Sequence, residues 1–105
     1  NTVPQGSEKQ LQSVVATLGP VAVAVDASND DFLQYDQGIY NNPLCSSTNV
    51  NYALLVVGYG TVDGKDYWIC KNSMGPEWGE HGYIRMARNV DNICGIATMA
   101  NYPEI

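Results

Sequence analysis

Histidine is almost missing from this chain, with His81 the only one in 105 residues. Chemistry that needs two imidazoles is therefore excluded, and Cys45, Cys70 and Cys94 show no spacing that would complete a zinc site with it. Basic residues are scarce too: five Lys and Arg against eleven Asp and Glu leave a formal charge of −6 and a pI near 4.3. With no basic cluster anywhere, binding to a nucleic-acid backbone is not expected. No apolar run approaches the roughly 20 residues of a membrane-spanning helix, so no membrane partner is expected either. There is no internal repeat, linker or low-complexity stretch, and no signal-peptide pattern, as expected of a mature or excised piece. Neither a metal nor a cofactor is expected.

What is present suffices for one small core. Apolar residues make up 45% of the chain and charged ones 15%, which predicts a single domain over 1–105. Ser7 with Gln10 reads as a capping box, and Leu11, Val14, Val15 and Leu18 recur at helical spacing until Gly19-Pro20, predicting a helix over 8–18. Val21 to Val25 alternates Val with Ala, so one strand face carries bulk and the other leaves room. The segment 28–38 is polar and turn-prone around Phe32, Leu33 and Tyr35, with one helical turn at most. Residues 53–57 read as a buried strand, Asp63-Gly64 as a hairpin turn onto a strand over 66–71, and 83–88 and 93–97 as further strands. One helix followed by about five antiparallel strands predicts an α+β domain, a twisted sheet or partial barrel.

Four ordered blocks carry a resemblance. They are Asn51-Tyr52-Ala53-Leu54-Leu55-Val56-Val57-Gly58-Tyr59-Gly60, Tyr67-Trp68-Ile69-Cys70-Lys71-Asn72-Ser73, Gly82-Tyr83-Ile84-Arg85-Met86-Ala87-Arg88 and Cys94-Gly95-Ile96-Ala97. Together with Gly75-Pro76-Glu77-Trp78-Gly79 and the closing Asn101 to Ile105, they resemble the C-terminal half of papain-like cysteine proteases of the cathepsin L, S and K kind. Single pieces such as Gly-Tyr-Gly would mean little, but their order makes the match specific. Two positions depart from the family pattern. Tyr52 stands where the family has its catalytic His, and Met74 where a Trp usually follows Asn-Ser.

The resemblance implies roles residue by residue. The nucleophilic Cys belongs to the helical N-terminal half, which is not among these residues, so that half or a companion chain is the expected partner. Asn72 takes the position of the Asn that orients the imidazole. Tyr52 is chemically wrong for the base, because a phenol keeps its proton at neutral and acidic pH and cannot accept one from a thiol. Met74 would shield the Asn72 contact less rigidly than Trp. Trp78 matches an aromatic on the primed side of the cleft, and its bland reading is a core or rim aromatic. Ala24, Val50, Ala53 and Met99 match the lining of the subsite for the second residue before the scissile bond; outside this family they would read as core packing. Cys45 and Cys94 match the family's disulfide within this half, which implies an oxidising compartment, lysosomal or secreted. Cys70 then remains as a buried, inert thiol. His81, in a polar loop between glycines, and Asp26, Asp30, Asp31 and Asp36 read as solvated surface groups.

Three functional classes are compatible with this. The first is an inactive homologue that keeps the cleft for peptides or partners and pairs with a helical half. The second is an active cathepsin L-like protease in which position 52 is an engineered or misassigned residue. The third is a structural relative of the silicatein kind, although that group keeps the His.

Overall fold

The computed structural model describes residues 2–102, so 103–105 of the closing block lie outside the described residues. Helix α1 spans Glu8–Leu18, β1 Val21–Val25, α2 Asp30–Leu33, β2 Ile39–Tyr40, β3 Tyr52–Val62, β4 Lys65–Lys71, β5 Tyr83–Ala87 and β6 Met99–Asn101. The strands form one sheet in the order β2-β5-β4-β3-β1-β6. This is the expected α+β architecture, with one main helix beside a sheet-dominated body.

Local chemistry accounts for the helix and its neighbour strand. The Ser7 side chain accepts the Gln10 N–H at 3.2 Å, and Gly19 ends α1 in the left-handed region at φ 106°. Leu11 and Val15 are buried, while Leu18 ends the stripe exposed. In β1, Val21, Val23 and Val25 all enter the core, each contributing roughly 1.5–3 kcal/mol by burial. Ala22 and Ala24 face the other way. β1 pairs antiparallel with β3, Ala22 opposite Leu55 and Ala24 opposite Ala53, and with β6, Ala24 opposite Met99.

The structure corrects three expectations. The sheet is mixed, because β2 pairs parallel to β5. Residues 93–97 are not a strand: Ile93–Gly95 is a 3-10 turn, with Asn92 and Cys94 left-handed at φ 54° and 57°. The disulfide and close packing impose that shape. Cys94 is joined to Cys45, and Gly95 is left-handed at φ 71°, where a Cβ would come within 2.6 Å of Val50 and 2.9 Å of the Ser47 carbonyl oxygen, so only glycine fits. The bridge closes a 49-residue separation, worth about 4 kcal/mol in chain entropy.

The third correction concerns Asp26, which is buried rather than solvated. Its carboxylate accepts the Ser28 hydroxyl and N–H, the Ser46 N–H at 2.7 Å and the Asn51 amide at 3.5 Å, tying the end of β1 to the loop that carries the disulfide. Asp31, though exposed, also has a structural task, accepting the Tyr40 hydroxyl at 2.8 Å and the Asn42 amide. Asp30, Asp36 and His81 are exposed as expected.

The Glu8 carboxylate is also buried, which its place in the first turn of a helix does not reveal. It accepts N–H groups from the Trp68 indole at 3.0 Å and from the backbones of Asn89 and Asn92 at 2.8 Å each. Asn89, Asp91 and Asn92 are all left-handed, a conformation Asn and Asp tolerate, and the turn they make delivers two N–H groups to one anion. Nearby, the Arg88 guanidinium lies 4.9 Å from the Tyr59 ring centre and 5.6 Å from that of Trp68, and bonds the Gly60 carbonyl and Gln12.

Glu8→Gln replaces a charged acceptor facing three donors with an amide, and is expected to lower stability by roughly 2 kcal/mol, with Glu8→Ala costing more. Urea unfolding measures this, and an unchanged midpoint for both variants would refute it. For Asp26, burial pushes the carboxyl up, but the bonds from Ser28, Ser46 and Asn51 outweigh it and hold the group below its ordinary 3.8. A depressed folded value means that its stabilisation is complete above the unfolded value and drains away as pH falls through the folded one. Stability should therefore drop below about pH 4, and Asp26→Asn should flatten that acid limb. An acid limb of unchanged depth in the variant would remove Asp26 as its source.

Candidate functional site

Tyr52 is the first residue of β3, and Asn72 follows directly on β4. Although the two strands are neighbours, the pairing ends at Leu55 opposite Lys71, so residues before Leu55 are free of β4. Tyr52 nevertheless reaches across, and its hydroxyl donates to Asn72 Oδ1 at 2.8 Å. The same oxygen accepts the Ser73 N–H at 2.7 Å, which fixes the amide orientation, since a flipped amide would set two donors against each other. Asn72 is 4% exposed, and its Nδ2 has no hydrogen-bond partner.

Aromatic packing holds Tyr52 from behind. Phe32, fully buried, lies 5.6 Å from the Tyr52 ring, 5.6 Å from Tyr40 and 5.7 Å from Trp78. A lone Phe in a polar segment was the only sequence signal for this cluster. Trp78 donates its indole N–H to the Leu33 carbonyl at 2.9 Å and packs 5.5 Å from Tyr35, so it is a half-buried rim aromatic fixed to α2.

The loop between β4 and β5 is latched at its base. Asn72 N–H bonds the Gly82 carbonyl at 3.0 Å, and Gly82 N–H bonds that of Trp78 at 2.7 Å. Gly79 is left-handed at φ 58°, and a Cβ there would come within 2.7 Å of the Tyr83 carbonyl oxygen. Glu80 forms a salt bridge with Arg85 at 2.8 Å, and that guanidinium holds the carboxyl below its usual range against the opposing effect of burial. Met74 is 39% exposed and thus covers little.

The four subsite positions do not form an enclosed pocket. Ala24, Ala53 and Met99 share one cross-strand row, but Ala53 and Met99 are open to solvent, and Met99 is 57% exposed. Val50 is half-buried next to Gly95. Cys70 is fully buried, and burial pushes its thiol far above the ordinary value of 9.0, so it is inert. Among the described residues there is no group of three or more His, Cys, Asp or Glu side chains that could hold a metal. No helix among them is long and apolar enough to cross a membrane.

The geometry defines the class as a sheet-rich α+β domain with an internal disulfide and a buried Asn at the end of a central strand. Comparison with known proteins then settles the family. The profile described as papain family cysteine protease matches residues 1–104, and the chain belongs to that family. Cathepsin L of Sarcophaga peregrina is 53% identical over 104 residues, covering 98% of this chain and 31% of that protein. Cathepsin S of Mus musculus is 56% identical over 103 residues, again covering 98% of this chain and 30% of the relative. Among solved structures, digestive procathepsin L 3 of Tenebrio molitor larval midgut superposes with a TM-score of 0.92 at 50% identity, covering 98% of this chain and 34% of that one. Bromelain from Ananas comosus, in complex with the E64 inhibitor, gives 0.90 at 47% identity, covering 98% and 48%. The chain thus spans about a third of the length of the cathepsins it matches.

Tyr52→Phe keeps the ring on Phe32 but removes the hydrogen that Asn72 Oδ1 accepts. A loss of about 1 kcal/mol is expected, because the buried amide keeps only the Ser73 bond. Thermal unfolding tests this, and a variant as stable as the parent would show that the bond contributes nothing net.

Proposed function

We propose that this chain is the sheet-bearing half of a cathepsin L-like cysteine protease fold whose catalytic base has been replaced, leaving an inactive homologue. It pairs with a helical half and keeps a cleft for a peptide or protein segment. The observation that supports this reading is the Tyr52 to Asn72 hydrogen bond of 2.8 Å. In the family, an imidazole takes the thiol proton and later gives it to the leaving amine, while the Asn orients the ring. Here the Asn oxygen receives a phenol hydrogen, and the only lone pairs left on that phenol oxygen are weakly basic. A thiol placed opposite would keep its proton, and no thiolate and imidazolium pair could form.

Asn72 and Tyr52 are accordingly assigned as the orienting position and the inert base position. Ala24, Val50, Ala53, Trp78 and Met99 are assigned to the walls of the cleft, which are completed only when the other half covers the open face. The disulfide fits an oxidising compartment, lysosomal or secreted.

Replacement of the base itself is the direct test. With a helical half that supplies Cys, Tyr52→His should restore cleavage of a short peptide with Leu or Phe at the second position, by roughly 10⁴-fold or more, together with labelling by a thiol-directed epoxide. Adding Met74→Trp should raise the rate further. Cleavage at a cathepsin-like rate by the unaltered chain with that half would overturn the reading.

A further inference from the structure

Glu80 sits in a turn whose backbone is largely left-handed. Gly79, His81 and Gly82 have φ of 58°, 58° and 90°, and His81 adopts that region with a full side chain. Glu80 N–H donates to the Tyr83 carbonyl at 2.9 Å and Tyr83 N–H to that of Glu80 at 3.1 Å, a short ladder that turns the Glu80 carboxylate toward β5. There Oε1 accepts Arg85 Nε–H at 2.8 Å, while Oε2 accepts Arg85 Nη2–H at 2.9 Å and the N–H of Gly38 at 3.1 Å, 42 residues away in the chain.

Gly38 is held from its other side as well. Its carbonyl accepts the Tyr35 hydroxyl, whose oxygen in turn accepts the Arg85 backbone N–H at 3.3 Å. Tyr35 is buried and packs against Trp78, whose indole bonds the Leu33 carbonyl. The β4 to β5 loop thus meets the segment after α2 at Trp78 through a neutral bond and at Glu80 through a charge-assisted one.

Of Glu80, Arg85 and Tyr35, only the carboxylate loses its charge in acid. Burial pushes the Tyr35 phenol up to about 12, so its hydroxyl keeps its proton. Arg85, 5.3 Å from the Tyr67 ring centre, is held in its charged form by Glu80. Asp36 and His81 line with Glu80 an adjoining cavity of about 440 Å³. A protonated carboxyl would set a hydrogen against Arg85 or Gly38, which are both donors, so neutralising Glu80 breaks the joint.

We propose that Glu80 is a positioning residue for the Trp78 rim: its carboxylate clamps the β4 to β5 loop to the segment after α2, and its protonation releases that rim while the sheet stays folded. The clamp stands on these contacts alone; its use, to hold Trp78 against a peptide segment, rests on the reading under Proposed function. Arg85 keeps the Glu80 carboxyl below its ordinary 4.5, so the clamp is complete above that value and is lost as pH falls through the lower, folded one.

Indole labelling by 2-hydroxy-5-nitrobenzyl bromide, with sites assigned by peptide mapping, tests this on the protein as isolated, companion included. The chain has two Trp, and the fully buried Trp68 reports whether the sheet itself opens. Trp78 of the unaltered chain should label slowly at about pH 6 and at least roughly threefold faster at about pH 3.5, with Trp68 protected throughout. Glu80→Gln should label at the fast rate at both pH values, because its amide also sets a donor against Arg85 or Gly38, whereas His81→Asn should follow the unaltered chain. Unchanged Trp78 labelling in Glu80→Gln, an acid increase that persists in that variant or vanishes in His81→Asn, or Trp68 becoming reactive in step with Trp78 would each overturn the proposal. Release as expected in a protein whose cleft takes up no peptide at either pH would support the clamp and sink the reading of the cleft instead.

Discussion

One buried carboxylate organises the back of this fold. Glu8 opens α1, where the helix N-terminus favours a negative charge, and it is held by three N–H donors rather than by a cation. Through Trp68 it fixes α1 to β4, and through Asn89 and Asn92 it fixes the left-handed turn that leads to the disulfide. Arg88, 4.9 Å from the Tyr59 ring centre and 5.6 Å from that of Trp68, closes the same layer from the β5 side. Because β4 is anchored in this way, its far end delivers Asn72 to a defined place. The geometry at Tyr52 therefore depends on a charge near the other end of β4.

At that place the arithmetic of donors and acceptors decides the chemistry. Asn72 Oδ1 has two lone pairs and both are used, by the Tyr52 hydroxyl and the Ser73 N–H. An imidazole with one N–H donated to this oxygen would still expose a basic nitrogen. A phenol that donates its only hydrogen exposes an oxygen that is a poor base. On the proposed reading, Tyr at this position keeps a hydrogen bond to Asn72 Oδ1 but offers no basic nitrogen. Packing agrees, since the larger ring rests edge-on against Phe32.

Much of this was legible in the sequence, for identifiable reasons. Helix α1 was readable to the residue because Ser7 and Gly19 bracket a clear apolar stripe, and β1 because Val and Ala alternate. The blocks around Tyr52 and Asn72 gave the family, and the disulfide followed from it. Failures came where nonlocal contacts override local pattern. Ile93 to Ala97 looks like a strand, but the Cys45 bridge and the close approach of Val50 to Gly95 force a turn. Asp26 and Glu8 look like surface charges; only the fold reveals that Ser46, Asn51, Trp68 and Asn92 converge on them. The parallel pairing of β2 with β5 was equally hidden, because two residues carry no periodicity.

The alternation in β1 also separates two constraints that act on one strand. Val21, Val23 and Val25 build the core, while Ala22 and Ala24 stay small on the face that remains open. A fold needs only the first set. On the proposed reading the second set is kept for close approach by the helical half. On that reading a change of residue at position 52 relaxes neither constraint, because the Val row and the Ala row both lie outside the Tyr52 and Asn72 pair.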